Sequence, residues 1–116
     1  MSTGDVTLSI RLDLPGGGRI GPGKVALMRA LREAGSLRRA AEALGMSYRR
    51  VWKLTEELNT AAGFTVVEKA AGGEGGGGAR LSERGAELLS ACERVILAAE
   101  KATEAERANV KALAAP

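Results

Sequence analysis

The basic side chains of this chain are the ones whose type and spacing indicate a chemical role. Five of them stand close together, namely Arg38, Arg39, Arg49, Arg50 and Lys53. Arginine donates paired hydrogen bonds to guanine or phosphate, and lysine binds phosphate as a point charge. Residues 19–53 contain nine basic and two acidic side chains. Such a block is typical of a polyanion-binding protein, although a solvated helical surface rich in arginine has the same composition.

The side chains that acid–base and metal chemistry most often use are scarce. Histidine is absent from the 116 residues, and Cys92 is the one cysteine. A Ser-His-Asp triad, a Cys-His pair and a histidine-ligated metal site are therefore excluded. We predict no catalytic residue, no metal ligand and no cofactor. Because Cys92 falls on an apolar helical face, we interpret it as a small buried hydrophobic residue rather than a redox sensor.

The distribution of apolar residues predicts a cytoplasmic protein. Hydrophobic residues make up 45% of the chain, which is enough for a folded domain. No apolar run approaches the ~18 residues of a membrane span. The first residues lack the apolar stretch and cleavage site of a signal peptide, and a single cysteine gives no sign of secretion.

A glycine-rich stretch matches part of a phosphate-binding loop. Residues 18–24 have the pattern G-x4-G-K, after an alternating segment and before a helical one. Val25 replaces the hydroxyl residue that would hold magnesium, and Pro22 removes a backbone donor. The strand–helix repeats of a parallel sheet are also missing. A nucleotide-binding enzyme is therefore kept only as a minor alternative.

Two short helices joined by a tight turn must position the arginines. Ser36 is suited to cap the first, over residues 37–44, and Ser47 to cap the second, over residues 48–62. The three residues between them have helix-turn-helix spacing, and Gly45 allows the left-handed turn. In DNA-binding units of this kind, N-terminal side chains of the second helix reach base edges in the major groove. The alternative is an αα-corner with a basic exterior.

The segment before these helices predicts one strand and one further helix. Residues 6–14 alternate apolar and polar side chains, which indicates an N-terminal strand with one buried face. Pro22 suits the first turn of a helix that continues over residues 24–34, and Gly35 suits its end. Together with the helix-turn-helix, these elements predict an α+β fold that is mostly helical.

The segment after them predicts a wing. Residues 64–69 and 80–81 have strand composition, and a glycine-rich tip lies between them. Such a tip lets the backbone come close to a phosphate or the minor groove, whereas a loose surface linker is the alternative. Glu74 in the tip is a poor partner for phosphate. We therefore divide the chain into a winged helix-turn-helix domain at 1–82, with the helix-turn-helix at 36–62 and the wing at 64–81, and a C-terminal helix at 83–116.

The C-terminal helix carries a pattern typical of helix pairing. Alternating three- and four-residue spacing relates Leu89, Cys92, Ile96 and Ala99. The pattern weakens at Thr103. The predicted fold is thus a winged helix-turn-helix with an N-terminal strand and a long C-terminal dimerisation helix. The alternative is a terminal helix that lies on its own domain and frays beyond residue 102.

Three stretches together resemble a known family. They read GPGKVALMRAL, GSLRRAAEALGMSYRRVWKLTEELN and AGGEGGGGARLSERG. Over residues 6–100 the chain resembles the N-terminal domain of ModE-type molybdate-responsive transcription regulators, a winged helix related to that of LysR-type regulators. The resemblance implies a homodimer that binds palindromic, double-stranded operator DNA. It places the recognition helix at 48–62 and the wing at 70–80.

The basic block and this resemblance together supply the predicted DNA contacts. Residues 47–50 and Lys53 match the recognition-helix segment of the family, and the glycines at 72, 73 and 75–78 match its wing. Glu74 stands where the family usually has lysine, which weakens the predicted wing contact. The complete set of predicted contacts is Ser36, Arg38, Arg39, Ser47, Tyr48, Arg49, Arg50, Lys53, Gly75, Gly76, Gly77 and Arg80.

The end of the chain departs from the family pattern. Full-length members continue into C-terminal domains that bind molybdate, whereas this sequence ends at Pro116. The molybdate site of the family is therefore not assigned to any residue of this sequence. We expect a stand-alone DNA-binding regulator of molybdenum transport or molybdenum-enzyme genes, or one whose effector is sensed by a partner protein. The alternative is a helical interaction module that pairs with another regulator and binds DNA weakly or without specificity.

Overall fold

The structure is a computed structural model that describes residues 4–69 and 78–114. The strands within these ranges are β1 (Leu12–Asp13), β2 (Arg19–Ile20), β3 (Val67–Lys69) and β4 (Ala79–Leu81). The helices are α1 (Pro22–Ala34), α2 (Leu37–Leu44), α3 (Tyr48–Ala62), α4 (Glu83–Ala102) and α5 (Glu104–Ala114). The prediction of a mostly helical α+β winged helix-turn-helix is confirmed. No helix of the described ranges is both long enough and apolar enough to cross a membrane.

Helices α2 and α3 form the predicted helix-turn-helix with the predicted bounds. The Oγ of Ser36 accepts a hydrogen bond from the Arg39 amide, and the Oγ of Ser47 accepts one from the Arg50 amide, each at 3.1 Å. Gly45 between the helices has φ +65°, a left-handed conformation that side chains disfavour. Local capping and one glycine therefore set the angle at which α3 leaves α2.

Helix α1 lies at the centre of the hydrophobic core. Its residues Leu27, Met28 and Leu31 are each at most 2% exposed. Helices α2, α3 and α4 and strand β4 all pack against it. The amide of Ala79 in β4 also donates to the carbonyl of Gly35, which ends α1. The same helix thus fixes the helix-turn-helix, the wing and the C-terminal helix relative to one another.

The predicted N-terminal strand over residues 6–14 is shorter than expected. Only Leu12 and Asp13 are in strand β1, where they pair with Ile20 and Arg19. In this register residue 10 would face Pro22, which lacks an amide proton and opens α1, so the ladder cannot continue. Residues 6–11 have no strand partner among the described residues. Their side chains nevertheless alternate between half-buried and exposed, as the sequence pattern predicts.

The wing strands pair in antiparallel register, with Val67 opposite Leu81 and Lys69 opposite Ala79. The predicted strand at 64–69 is limited to its last three residues, because just before them the Val66 amide donates to a side chain of α3, although the Val66 carbonyl still accepts from the Ser82 amide at 2.8 Å. The Oδ1 of Asn59 in α3 accepts from the amides of Val66 at 2.8 Å and Val67 at 3.0 Å. Helix α3 therefore holds the start of the wing directly.

The predicted long C-terminal helix is broken into α4 and α5 at Thr103. The Thr103 hydroxyl donates to the Ala99 carbonyl at 2.7 Å and accepts from Arg107 Nε at 3.0 Å. A second nitrogen of Arg107 donates to the carbonyl of Val6 at 3.0 Å. Because threonine hydroxyls compete with the helical backbone, this network explains the break. It also ties the N-terminal segment to α5.

The residues predicted for dimerisation do not form one free surface. Leu89 and Cys92 are each 1% exposed and belong to the core of this chain, which corrects their assignment to a partner helix. The first half of α4 packs against α1, and its heptad-like spacing serves that contact. Ile96 and Ala99 farther along α4 are half-buried. Pairing with a second copy stays a prediction for those two positions.

Helices α1 and α4 are also joined by a charged cluster. Glu93 of α4 accepts from Arg32 Nη1 and from Arg29 Nε, each at 3.0 Å. The hydrogen bond from Arg32, followed by that from Arg29, lowers the pKa of the Glu93 carboxyl below its ordinary value. The carboxylate is therefore the favoured form in the folded protein. Its contribution to stability is present above the pKa of the unfolded chain and is lost as the pH falls through the folded pKa.

Glu93→Gln is expected to lower the melting temperature at pH 7 but to have little effect in acid. The difference between the variant and the wild type should shrink below pH ~4, where the unfolded carboxyl becomes protonated. Circular dichroism melting between pH 3 and pH 7 measures it. Glu87→Gln on the exposed side of the same helix is the matched control. A difference that stays constant over this pH range would contradict the charged cluster as its source.

Candidate nucleic-acid interface

The outer face of α3 carries most of the predicted DNA contacts. Val51, Thr55 and Leu58 are fully buried and turn one face of the helix into the core. Thr55 was not predicted as a core residue from the sequence. Its hydroxyl donates to the Val51 carbonyl at 2.9 Å. The opposite face is exposed and presents Tyr48, Arg49, Arg50, Trp52 and Lys53. The helical period alone brings these side chains together.

The cations of the helix-turn-helix are available to a ligand. No carboxylate in residues 4–69 or 78–114 forms an ion pair with Arg39, Arg49, Arg50 or Lys53. The Arg38 guanidinium lies 5.4 Å from the centre of the Tyr48 ring, so it is also turned towards α3. Unpaired, exposed cations repel one another, and a polyanion relieves this repulsion.

The arginines of α1 differ from those of the helix-turn-helix, although the sequence counts them in the same basic block. Arg29 and Arg32 are bound by Glu93, and Arg32 also lies 3.5 Å from Glu33. Their charge is compensated within the protein. Within the basic block, Arg29 and Arg32 on α1 therefore have a structural use that the cations of α2 and α3 do not share.

The two serines of the predicted site lie at helix starts. The Oγ atoms of Ser36 and Ser47 accept hydrogen bonds as caps, which leaves each hydroxyl proton able to donate. Capping also places both residues where amide protons point outwards from α2 and α3. A helix N-terminus favours a nearby negative charge. Contact of these serines with DNA stays a prediction.

The wing contributes charged strands beside α3. Arg80 of β4 is 83% exposed at its side chain and lies 3.4 Å from Glu68 of β3. The predicted contacts Gly75, Gly76 and Gly77, and also Glu74, lie outside the described residues. A phosphate contact by the wing tip therefore stays a prediction.

Trp52, Lys69 and Glu56 form a cluster that sequence reasoning missed. The Lys69 ammonium lies 3.4 Å from the centre of the Trp52 ring and 2.6 Å from Glu56 Oε1. The position of Trp52 on the outer face could have been predicted from helical spacing, because Trp52 follows Tyr48 by four residues. The approach of Lys69 to the ring could not be predicted from neighbouring residues, because it depends on how the wing packs against α3.

The glycine-rich stretch at 18–24 has a structural use. A side chain on Gly18 would place its Cβ 2.6 Å from the Cα of Ala61 and against the carbonyl of that residue. Gly21 caps α1 and accepts from the Val25 amide at 3.1 Å. Close packing on α3 and the start of a helix thus account for Gly18 and Gly21, whereas a Cβ on Gly23 would meet no atom within 4 Å.

Cys92 is buried in the core beside Glu93. Burial, followed by the charge of Glu93, raises the pKa of the Cys92 thiol, so the protonated form is favoured. Residues 4–69 and 78–114 contain no group of three or more histidine, cysteine, aspartate or glutamate side chains that could hold a metal ion.

Comparison with known proteins gives consistent matches. The chain is 33% identical over 81 residues to the transcriptional regulator ModE of Yersinia pestis, which covers 70% of this chain and 31% of that protein. It is 35% identical over 68 residues to the DNA-binding transcriptional dual regulator ModE of Escherichia coli K12, covering 59% and 26%. The molybdenum transport protein ModE of Herbaspirillum seropedicae is 40% identical over 65 residues, covering 56% and 24%. The chain thus spans less than a third of the length of these relatives.

Among solved structures, the fold matches that of the CbnR DNA-binding domain, which was crystallised in complex with DNA. The TM-score is 0.61 at 22% identity, and the match covers 76% of this chain and 95% of that one. No family model matches the sequence. The CbnR domain is of the LysR type, so the structural match shows the winged fold, while the sequence matches identify the nearer relatives. Over the matched region, about 70% of its length, this chain is similar to ModE-type molybdate-responsive transcription regulators.

Proposed function

We propose that this chain is a sequence-specific DNA-binding transcription regulator of molybdenum transport or molybdenum-enzyme genes. The observation that carries the proposal is the exposed face of α3, whose Arg49, Arg50 and Lys53 have no carboxylate partner in the described ranges. Relatives named as ModE regulators support the class of target gene.

The proposed mechanism is occupation of an operator by α3. The N-terminal half of α3 enters the major groove, where Arg49 and Arg50 specify bases through paired hydrogen bonds. Phosphates are bound by Arg38, Arg39 and the amide protons at the helix starts that Ser36 and Ser47 cap. Lys53 and Arg80 add further phosphate contacts, and the wing glycines Gly75, Gly76 and Gly77 approach the neighbouring backbone.

Arg49→Ala and Arg50→Ala are each expected to weaken binding to the specific duplex by about 1–3 kcal/mol if the residue contacts a base. Fluorescence anisotropy with a palindromic fragment of a molybdenum-transport promoter and a scrambled duplex measures this. Arg94→Ala on α4 is the matched control, since it removes an exposed arginine far along the chain from the helix-turn-helix. Unchanged affinity in both α3 variants would contradict the assignment.

The same titration, run across salt concentrations and with and without molybdate, separates the alternatives. A clear preference for the palindromic duplex supports sequence-specific regulation. Equal and steeply salt-dependent binding to both duplexes would indicate attraction to the backbone alone. That outcome would favour the interaction module that pairs with another regulator. Specific binding that does not respond to molybdate would support a stand-alone regulator whose signal, if any, comes from elsewhere, for example from an effector-sensing partner.

We further propose that the chain binds its palindromic operator as a homodimer, and that the second half of α4 supplies the contact. Ile96 and Ala99 continue the stripe that Leu89 and Cys92 begin, and both are only half-buried, with Ile96 at the edge of the core. Val95 lies next to that stripe and is 44% exposed. A partly exposed apolar strip that continues a three- and four-residue spacing is suited to pairing with a second helix.

Val95→Glu is expected to convert the dimer to a monomer, because a carboxylate in an apolar helix contact loses its hydration. Size-exclusion chromatography with light scattering measures the mass. Leu97→Glu is the matched control, because Leu97 is 52% exposed and lies on the opposite side of α4. A monomeric wild type, or equal effects of the two variants, would contradict this interface.

A further inference from the structure

Trp52 is a large apolar side chain that lies outside the hydrophobic core. Its neighbour Val51 is fully buried, whereas Trp52 is 42% exposed. It is also the one tryptophan of the chain. Together with the exposed ring of Tyr48 it forms an apolar patch with a charged rim, which is typical of a binding surface.

The ring is held in place before any ligand binds. The Lys69 ammonium lies 3.4 Å from the ring centre, a favourable position for a cation over an aromatic face. Glu56, one turn after Trp52, accepts from the same ammonium at 2.6 Å. Lys69 belongs to the wing and Glu56 to α3, so the two elements together fix the orientation of the ring.

The surroundings of Trp52 indicate a ligand that is both anionic and locally apolar. Tyr48, one turn earlier, is 39% exposed and lines the same open groove on α3. Arg49 and Lys53 border this groove without carboxylate partners in the part of the chain that the structure describes, whereas Glu56, which also lines it, is paired with Lys69. The major groove of DNA has this combination, because the 5-methyl group of thymine stands among polar base edges and phosphates.

We propose that Trp52 contacts the 5-methyl group of a thymine in the operator and thereby selects an A·T pair at one position of each half-site. Lys69 and Glu56 are positioning residues that hold the ring at the required angle. This inference rests on the proposed function, because it assigns one specificity contact within the α3 interface. The cations that border the groove favour DNA over an apolar protein surface as the occupant.

The test uses the whole chain and a duplex that the chain itself selects from a random double-stranded library. In this duplex each thymine is replaced in turn by uracil, which removes only the 5-methyl group. Wild-type affinity is expected to fall about fourfold at one position of a half-site, the factor that burial of one methyl-sized group corresponds to. Trp52→Ala should bind more weakly to the thymine duplex and lose the sensitivity at that position. Leu97→Ala, remote from α3, should keep it.

Lys69→Met tests the positioning role. It removes the cation over the ring while keeping a long side chain, and Lys69→Arg restores the cation. The anisotropy decay of Trp52 fluorescence in the free protein is expected to show a more mobile ring in Lys69→Met and a wild-type ring in Lys69→Arg. The uracil sensitivity should weaken in Lys69→Met and return in Lys69→Arg.

The possible failures are distinguishable. If the library yields no preferred sequence, the proposed function itself fails, and this inference fails with it. If a sequence is selected but Trp52→Ala keeps the wild-type response to every uracil, only the thymine contact is overturned. If Trp52→Ala binds DNA like the wild type but loses binding to another protein, the groove is a protein-docking surface.

Discussion

Asn59→Leu is expected to lower the free energy of unfolding by roughly 2–5 kcal/mol, although the two side chains are similar in shape. The Asn59 Oδ1 accepts from the amides of Val66 and Val67, which belong to residues that are at most 2% exposed. Leucine leaves both donors buried without a partner, and each such donor costs about 1–3 kcal/mol. Urea unfolding followed by circular dichroism measures the change.

Asn59→Asp is the matched variant for this effect. Aspartate keeps an acceptor oxygen at the same position, so it should preserve most of the stability that leucine loses. The Asn59→Leu variant should also bind operator DNA less tightly, because the start of the wing is no longer fastened to α3. A leucine variant within about 1 kcal/mol of the wild type would mean that water replaces the amide oxygen.

Local signals were sufficient to predict the helix-turn-helix. Ser36 and Ser47 cap the helices, and Gly45 takes up the left-handed turn, as expected from residue type alone. Each of these features depends on contacts within four residues of the chain. The outer face of α3 follows from the same helical period. Most of the candidate interface could therefore be predicted before the structure was known.

The features that the sequence did not predict depend on distant contacts. Arg29 is bound by Glu93, which is 64 residues away, so a count of charges could not separate it from the unpaired arginines of α3. Lys69 reaches Trp52 only because the wing packs beside α3. Leu89 has the spacing of a pairing helix, but the partner is α1 of the same chain. Periodicity identifies an apolar face without identifying what covers it.

The alternating segment at the N-terminus shows a related limit. Period-two alternation correctly predicted which side chains of residues 6–14 turn inwards. It could not predict how many of these residues are paired in a strand ladder, because each pair also needs a residue on a neighbouring strand. Strand β2 ends where Pro22 starts α1, so only Leu12 and Asp13 are paired.

The second large effect is expected at Gly18. A Cβ at this position would lie 2.6 Å from Ala61 Cα and closer still to the Ala61 carbonyl oxygen, which is backbone of α3 and cannot move aside like a side chain. Gly18→Ala should therefore separate the β1–β2 turn from α3 and disturb the neighbouring Ile20, which is 1% exposed. We expect a loss of about 3 kcal/mol in the free energy of unfolding, at the upper end of the usual cost of overpacking.

Gly23→Ala is the matched control within the same glycine-rich stretch. Gly23 lies in the first turn of α1 with no atom within 4 Å of an added Cβ, so alanine should stabilise the helix by about 0.5 kcal/mol. A phosphate-binding loop would behave differently, since ATP would raise the melting temperature of the wild type and either substitution would reduce that shift. We expect no shift with ATP and opposite effects of the two alanines on stability. This outcome would assign Gly18 to the packing of the turn against α3, and a shift with ATP would overturn that assignment.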